Sequence, residues 1–340
     1  MIRKIELNNF RLFDSKLIET NNSLVILSGK NATGKTSILE SIYLTSTTKS
    51  HRTSDIDTLI KENKEYASCC IIADKKYKVV ISDKSKNLFI NNKQYGKSSD
   101  FIGNLKAVMF SPYDLELVNG SKAFRRRFLD LEISLSDKVY LSSITAYKKL
   151  LKERNELLKS SNNIDLIMLE VITKQLIDEI KIILNKRLEF ISKINKELEL
   201  ISNELNVENI KLEYIKSYSD DIYTSFKNKE KYDIVSKTTN IGTHRDDFVI
   251  KINNKDAYEY ASEGQIRTIT IAIKLAIKNI IENNGDTPIL LLDDVFAALD
   301  QTRILSLIKY LKKSKQTFIT TTSILDIPDE LLSNALVIRM

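Results

Sequence analysis

A chain of 340 residues has room for two domains or for one large domain with an insertion. Apolar residues make up 42% of it, enough for a sizeable core, and no run of eighteen uninterrupted apolar residues offers a transmembrane helix. Cys69 and Cys70 are the only cysteines and are adjacent, which excludes a disulfide framework and any metal-ligand spacing; His51 and His244, the only histidines, do not make a histidine-rich metal site. Lys and Arg total 52 against 45 acids, a net charge of +7. That excess suits a polyanionic partner, and it equally suits a protein kept soluble by lysine. The opening Met1-Ile2-Arg3-Lys4 lacks the apolar run of a signal peptide. With no disulfide framework, a reducing cytoplasm is the expected location.

In chain order, "SLVILSG" (23–29) is a short apolar run ending in glycine and predicts a buried strand; "SILESIYL" (37–44) follows with helical spacing. "SCCIIAD", "YKVVIS" and "NLFINN" are β-rich pieces separated by Lys, Asp and Asn turns, and "KAVMF" predicts a further buried strand. From Ser121 to Ile241 there is no glycine or proline, and two long stretches carry apolar residues at three- and four-residue spacing. They predict long helices packed on one another. Afterwards "DDFVIKIN" is a strand, "GQIRTITIAIKLAIKNIIE" a helix apolar on most sides, and "PILLLDD", "QTFITTTS" and "NALVIRM" are strands. The expected fold is α/β: a sheet shared by the two ends of the chain (1–120 and 237–340), with a helical lobe (121–236) inserted between them.

Gly29-Lys30-Asn31-Ala32-Thr33-Gly34-Lys35-Thr36 fits G-x-x-x-x-G-K-[ST] between a predicted strand and a predicted helix. Its glycines let backbone N–H groups turn around phosphate oxygens, Lys35 supplies charge for the outer phosphates, and the Thr36 hydroxyl suits Mg²⁺, with Ser37 next in line. The flanking strand and helix favour a nucleotide-binding loop over an accidental glycine turn. Such a loop also needs a carboxylate for the metal and a group that polarises water. "LLLDDVFAALD" supplies Asp293 for the first task and Asp294 for the second, although paired acids after a strand also make good helix caps. Ser262, Gly264 and Gln265 begin the long apolar helix. They form either a capping box or a rim of N–H donors for the phosphate of a second subunit's ATP, and one set of residues can do both.

These pieces together resemble the RecF family, bacterial recombination-mediator ATPases related to the SMC proteins. The resemblance rests on "NNFRLF", "GKNATGKTSILESIYL", "KSHRTS", "FSPYDLELVNGSKAFRRRFLD", "GTHRDDF", "ASEGQIRT" and "LLLDDVFAALD", in that order over nearly the whole chain. It implies an ABC-type ATPase head, a helical lobe, an ATP-driven homodimer with slow hydrolysis, DNA binding at gaps, and work with RecR and RecO. Arg11, in "NNFRLF", resembles the arginine that reaches the nucleotide in SMC-like heads. Three positions depart from the family pattern: Glu263 in the signature, Tyr113 in "SPYDL", and Ala298 in "AALD".

For DNA, Lys122, Arg125, Arg126 and Arg127 form a dense basic cluster, and Lys148, Lys149, Lys152 and Arg154 follow on a helix. Arginine forks suit phosphates. Asp130 and Glu132 lie close enough in sequence for internal ion pairs instead. Without interleaved aromatic residues the expected contacts are to phosphates, with little sequence preference. A membrane is not an expected partner. Two rival functions are a transporter's ATPase subunit, which wants a histidine where Thr320 to Thr322 stand, and a nucleotide-dependent scaffold that does not hydrolyse ATP.

Overall fold

The structure, a computed structural model, describes residues 1–340 except 84, 161–163, 206–207 and 297–300, and leaves out the side chains of 205, 301, 302 and 326. The "AALD" stretch, with Ala298, therefore lies outside the described residues. The chain divides into two compact units: 1–115, 197–208 and 261–340 form the first, and 116–196 with 209–260 form the second.

The first unit begins with β1 (Lys4–Phe10), β2 (Phe13–Glu19), β3 (Leu24–Ser28), α1 (Lys35–Thr47), β4 (Tyr66–Ile72), β5 (Lys76–Ser82), β6 (Ser85–Ile90), β7 (Lys93–Tyr95), α2 (Ser98–Phe101) and β8 (Ala107–Phe110). The second holds α3 (Glu116–Asn119), α4 (Lys122–Ser136), α5 (Lys138–Lys159), α6 (Leu166–Leu205, whose last turns count with the first unit), β9 (Ile210–Ile215), α7 (Ile222–Ser236), β10 (Asp247–Ile252), β11 (Lys255–Asp256) and α8 (Ala257–Tyr260). The first unit is completed by α9 (Glu263–Asn283), β12 (Ile289–Leu292), α10 (Gln301–Lys313), β13 (Thr317–Thr321), α11 (Asp329–Leu332) and β14 (Ala335–Arg339).

A five-stranded parallel sheet, ordered β14-β3-β13-β12-β8, is the centre of the first unit. Every residue of β3, β8, β12 and β13 is buried, as a sheet covered on both faces requires. Strands from both ends of the chain do share this sheet: β3 pairs with β13 and β14. The carboxyl ends of β3, β12 and β13 lie side by side, and that edge is where an open α/β sheet receives its ligand. A second sheet, β2-β1-β4-β5-β6-β7, is antiparallel. Its β5 alternates buried with half-buried residues, the pattern of one wet face. β1 and β2 are additions to the strands expected from the sequence; β2 buries only Phe13 and Ile18 of its seven residues, too sparse a pattern to stand out.

Buried α9 hides two lysines, and both have acidic partners: Lys274 with Asp114 (3.0 Å) and Lys278 with Glu282 (2.8 Å). Burying an ammonium is tolerable only when paired in this way.

The second unit has no glycine or proline from Ser121 to Ile241, so its helices begin on polar caps. Ser121 accepts from the Phe124 N–H (3.2 Å), Asp137 from Tyr140 (2.9 Å), Asp165 from Met168 (2.9 Å) and Asp221 from Thr224 (3.1 Å). Along α6 the buried side chains include Leu169, Ile172, Leu176, Ile180, Ile183, Ile194 and Leu198, the spacing of a helix laid against helices. The unit is not all-helical. β9 lies inside the span expected to be helix and pairs antiparallel with β10, giving the small sheet β11-β10-β9. That pairing places 237–260 with the lobe, whereas the sequence boundaries put the break at 236. In β9, Ile210 and Leu212 are buried and Lys211 is exposed; this short alternation is hidden by the absence of any helix breaker.

Candidate ATP-binding site

β3 ends at Ser28 and the loop Gly29–Gly34 leads into α1. Gly34 holds φ at 96°, and a Cβ there would stand 2.4 Å from the Phe13 ring. No other residue fits that turn. Lys35 opens α1 almost fully buried, and its Nζ donates to the carbonyls of Gly29 (2.7 Å) and Lys30 (2.8 Å). The ammonium is thus stretched across its own loop. The first turn of α1 carries no acid, so its N–H groups and dipole are left for an anion. Asn31, Ala32, Gly34, Lys35, Thr36 and Ser37 line a cavity of about 550 Å³ together with Arg11, Arg52 and Asp294.

The second half of this corner arrives from the far end of the chain. Thr36 Oγ1 donates to Asp293 at 2.9 and 3.1 Å, and Thr320, near the end of β13, donates to the same carboxylate at 2.7 Å. Burial pushes the Asp293 carboxyl above the usual carboxylate range; the two threonine hydroxyls oppose that shift, and the neighbouring Asp294 adds to it. A buried anion beside a second acid is a poor resting state and a good seat for a divalent cation. Among the described residues no cluster of three or more His, Cys, Asp or Glu could hold a metal alone. Thr36 and Asp293 are hard oxygen donors of the kind that would hold Mg²⁺ beside a phosphate, where it would neutralise charge. Asp294 sits at φ 48°, its N–H donating to Thr320 Oγ1 (3.0 Å), and it faces the cavity. Thr320 thus holds both acids in place.

Arg11 also reaches the cavity, from a left-handed backbone position at φ 55°. Its fork grips Glu40 (Nε to Oε2 2.9 Å, Nη2 to Oε1 2.7 Å), and Nη1 donates to the Thr58 carbonyl (2.9 Å). Glu40, one turn beyond Thr36 and fully buried, also accepts from Ser50 Oγ (2.5 Å), with Arg52 at 4.0 Å. Burial opposes ionisation of Glu40, but the Arg11 and Ser50 hydrogen bonds outweigh it and hold the carboxyl below the usual range. The roles of Glu40, Arg52 and Thr320 are not legible in the sequence. Glu40 carries one available signal, a charged residue on the buried face of the helix that follows the P-loop.

At α9, Ser262 and Gln265 form the capping box: Ser262 Oγ accepts from the Gln265 N–H (3.3 Å), and Gln265 Oε1 accepts from the Ser262 N–H (2.8 Å). The Gln265 amide also donates to Glu208 (2.6 Å). A Cβ on Gly264 would meet nothing nearer than the Arg303 guanidinium at 3.8 Å, so that side of the helix start is open.

The basic residues separate into two groups. Arg125 is held by Asp247 through both arms of its fork (2.9 and 2.8 Å), a partner 122 residues away and neither of the acids close in sequence. Arg154 is fully buried against Asp233 (2.8 Å) and Thr239 (2.7 Å). Arg154 is not presented to solvent for DNA, and Arg125 is committed to Asp247. Lys148 pairs with Asp130 at 3.0 Å, while Lys149 and Lys152 make only long i,i+4 contacts. Lys122 and Arg127 are exposed and Arg126 is half-buried. A second cavity, about 520 Å³, lies in the second unit between Leu117, Lys122, Val249 and Tyr258; its Arg125 and Asp247 satisfy each other.

No helix among the described residues is long and apolar enough to cross a membrane. The family model described as RecF/RecN/SMC N-terminal domain matches residues 1–327. The chain is 40% identical to the DNA replication and repair protein RecF of Acholeplasma laidlawii, covering 94% of this chain and 93% of that one, and 37% identical to RecF of Oceanobacillus iheyensis, covering 100% and 98%. Among solved structures it matches the recombination mediator protein RecF bound to ATP in the RecFOR pathway, with a TM-score of 0.89 at 30% identity over 96% of this chain and 93% of that one. An Smc head domain from Pyrococcus furiosus, at 17% identity and a TM-score of 0.56, shares the fold of the ATPase head.

Proposed function

Since this chain belongs to the RecF family, we propose that it is an ATP-driven, DNA-binding protein of replication and recombinational repair, acting in the cytoplasm at gapped DNA together with RecR and RecO. The observation that carries the reading is the meeting of Thr36 and Asp293, 257 residues apart in sequence and 2.9 Å apart in space, at the mouth of a P-loop cavity. A phosphate-binding loop needs this neighbour only if it manages a metal–nucleotide complex. Lys35 and the N–H groups of Gly29–Ser37 hold the phosphates. Thr36 and Asp293 hold Mg²⁺, which supplies charge neutralisation for the phosphoryl group. Asp294 polarises the attacking water from the cavity wall, and Arg11 is kept facing the nucleotide by Glu40. Ser262, Gly264 and Gln265 serve the ATP of a second subunit, so that ATP closes a homodimer and slow hydrolysis opens it. The capping box fixes the rim for that role, and the open side of Gly264 leaves room for the partner's phosphate.

The test is Asp294→Asn, followed by sedimentation with ATP and by single-turnover hydrolysis with and without DNA. The variant should bind ATP, hydrolyse it slowly and persist as a dimer. A variant that stays monomeric with ATP, or that turns over normally, contradicts the assignment of Asp294 and the ATP-timed dimer with it.

A further inference from the structure

In the second unit, the loop from Gly242 to Asp247 is fixed by an unusually complete set of internal bonds. Gly242 holds φ at 124°, and a Cβ there would come within 2.6 Å of the Tyr147 hydroxyl. The Tyr147 hydroxyl is 2.5 Å from His244 Nδ1, and His244 Nε2 lies 3.0 Å from the Thr239 carbonyl. Burial, chiefly, and then the nearby Arg245 and Arg126 bring the His244 pKa down to about 4, so the ring is neutral near neutral pH. The Arg245 N–H closes a turn onto the Gly242 carbonyl at 2.8 Å.

The loop carries one cation, Arg245, and two acids, Asp246 and Asp247. Asp246 accepts from the Tyr214 hydroxyl (2.7 Å) and the Ser217 N–H (2.8 Å), and Asp247 takes both arms of Arg125. Both carboxylates are buried and turned inward. Arg245, immediately before them, is exposed, and α4 brings Arg126 to the same place, its Nη1 donating to the Asp246 carbonyl at 3.0 Å. Among the described residues neither Arg126 nor Arg245 has a carboxylate within ion-pair distance, although acids lie next to each in the chain or close by. At Arg126, burial and the neighbouring Arg187 and Arg245 work against the charged form, and Asp247 and Asp130 offset them only in part. An external anion beside the two guanidinium groups would complete that balance. Arginine forks match phosphate geometry, and phosphates spaced along a nucleic acid backbone answer two neighbouring cations at once.

We infer that Arg126 and Arg245 form a phosphate-binding pair that grips the sugar–phosphate backbone of DNA. The inference rests on the DNA-binding reading above and narrows it: the pair joins one arginine of the 125–127 run to a residue 119 positions later, while Arg125 takes both oxygens of Asp247. The contact reads no bases. It adds to affinity uniformly across sequences and is sensitive to salt.

The experiment measures the affinity of the whole protein, with ATP, for a fluorescent gapped duplex over a range of NaCl concentrations. Arg245→Ala should lower the slope of log K against log salt by roughly 0.9, and the double variant with Arg126→Ala by about twice that. Arg126→Lys, which keeps the charge, should hold near the wild-type slope. Arg245 is exposed, so its variant should keep the unfolding temperature and the ATP affinity of the wild type. An unchanged slope in a normally folded Arg245→Ala protein overturns the pair and leaves the DNA-binding reading standing. Wild-type protein that binds no DNA with ATP overturns both.

Discussion

Buried charge is used in opposite ways in the two units. Around the P-loop, Lys35 and Arg11 are bonded on one side and line a cavity on the other, and Thr36, which also lines it, is bonded to the buried Asp293. In the second unit, Arg187 is enclosed. It gives Nε to Tyr140 (3.0 Å), Nη1 to Tyr214 (2.9 Å) and the Thr243 carbonyl (3.0 Å), and Nη2 to Asp130 (2.8 Å). Arg154 is enclosed in the same way by Thr173, Asp233 and Thr239. The number of partners therefore does not separate a binding residue from a structural one, since Arg11 has as firm a carboxylate grip as Arg187. The difference between these groups is open space: Lys35 and Arg11 line a cavity, whereas Arg187 and Arg154 are enclosed. Charges that face a cavity keep interaction energy in reserve for a ligand; enclosed charges have already committed it to fixing the positions of helices.

The comparison is put at most risk by Arg187→Met. Removing one member of a buried pair leaves Asp130 and two tyrosine hydroxyls poorly compensated and should cost about 3–5 kcal/mol in urea unfolding, with ATP affinity unchanged. A loss of ATP affinity in folded protein would mean that the enclosed network also serves the site. Lys35→Ala should do the reverse, weakening ATP binding by roughly 1.5–3 kcal/mol for each charge-assisted hydrogen bond to phosphate that it removes, tenfold or more apiece, with little change in unfolding. Near-native ATP affinity would remove the P-loop from the mechanism.

Acid titration sharpens the contrast with a smaller effect. The Glu40 carboxyl is lowered from its ordinary value of 4.5, so its contribution is fully present above that pH and is lost as pH falls through the depressed folded value. Thermal unfolding of the wild type should lose this increment only in acid, and Glu40→Gln should show a shallower acid dependence. Each unit by which the carboxyl is depressed corresponds to about 1.4 kcal/mol. Identical acid profiles for the two proteins would show that the Arg11–Glu40 grip adds nothing to the fold.

The sequence by itself determined whatever depends on neighbours along the chain. The P-loop is legible because six residues must turn around a phosphate, and only glycine fits at Gly34. The capping box is legible because Ser262 and Gln265 are three residues apart, the reach of a helix's first turn. Strands such as β3 and the long α6 announce themselves by composition and spacing. β9 does not, because six residues of alternation inside a stretch without breakers resemble the helices on either side. The tertiary structure alone decided the partners: that Thr320 steadies Asp293, that Glu40 faces Arg11, and that Arg125 turns to Asp247 while Arg126 is left with Arg245. Such pairings join residues from about 30 to over 120 positions apart. Their geometry comes from which strands and helices pack together, and a side chain's local sequence carries no record of the group that the fold will set before it.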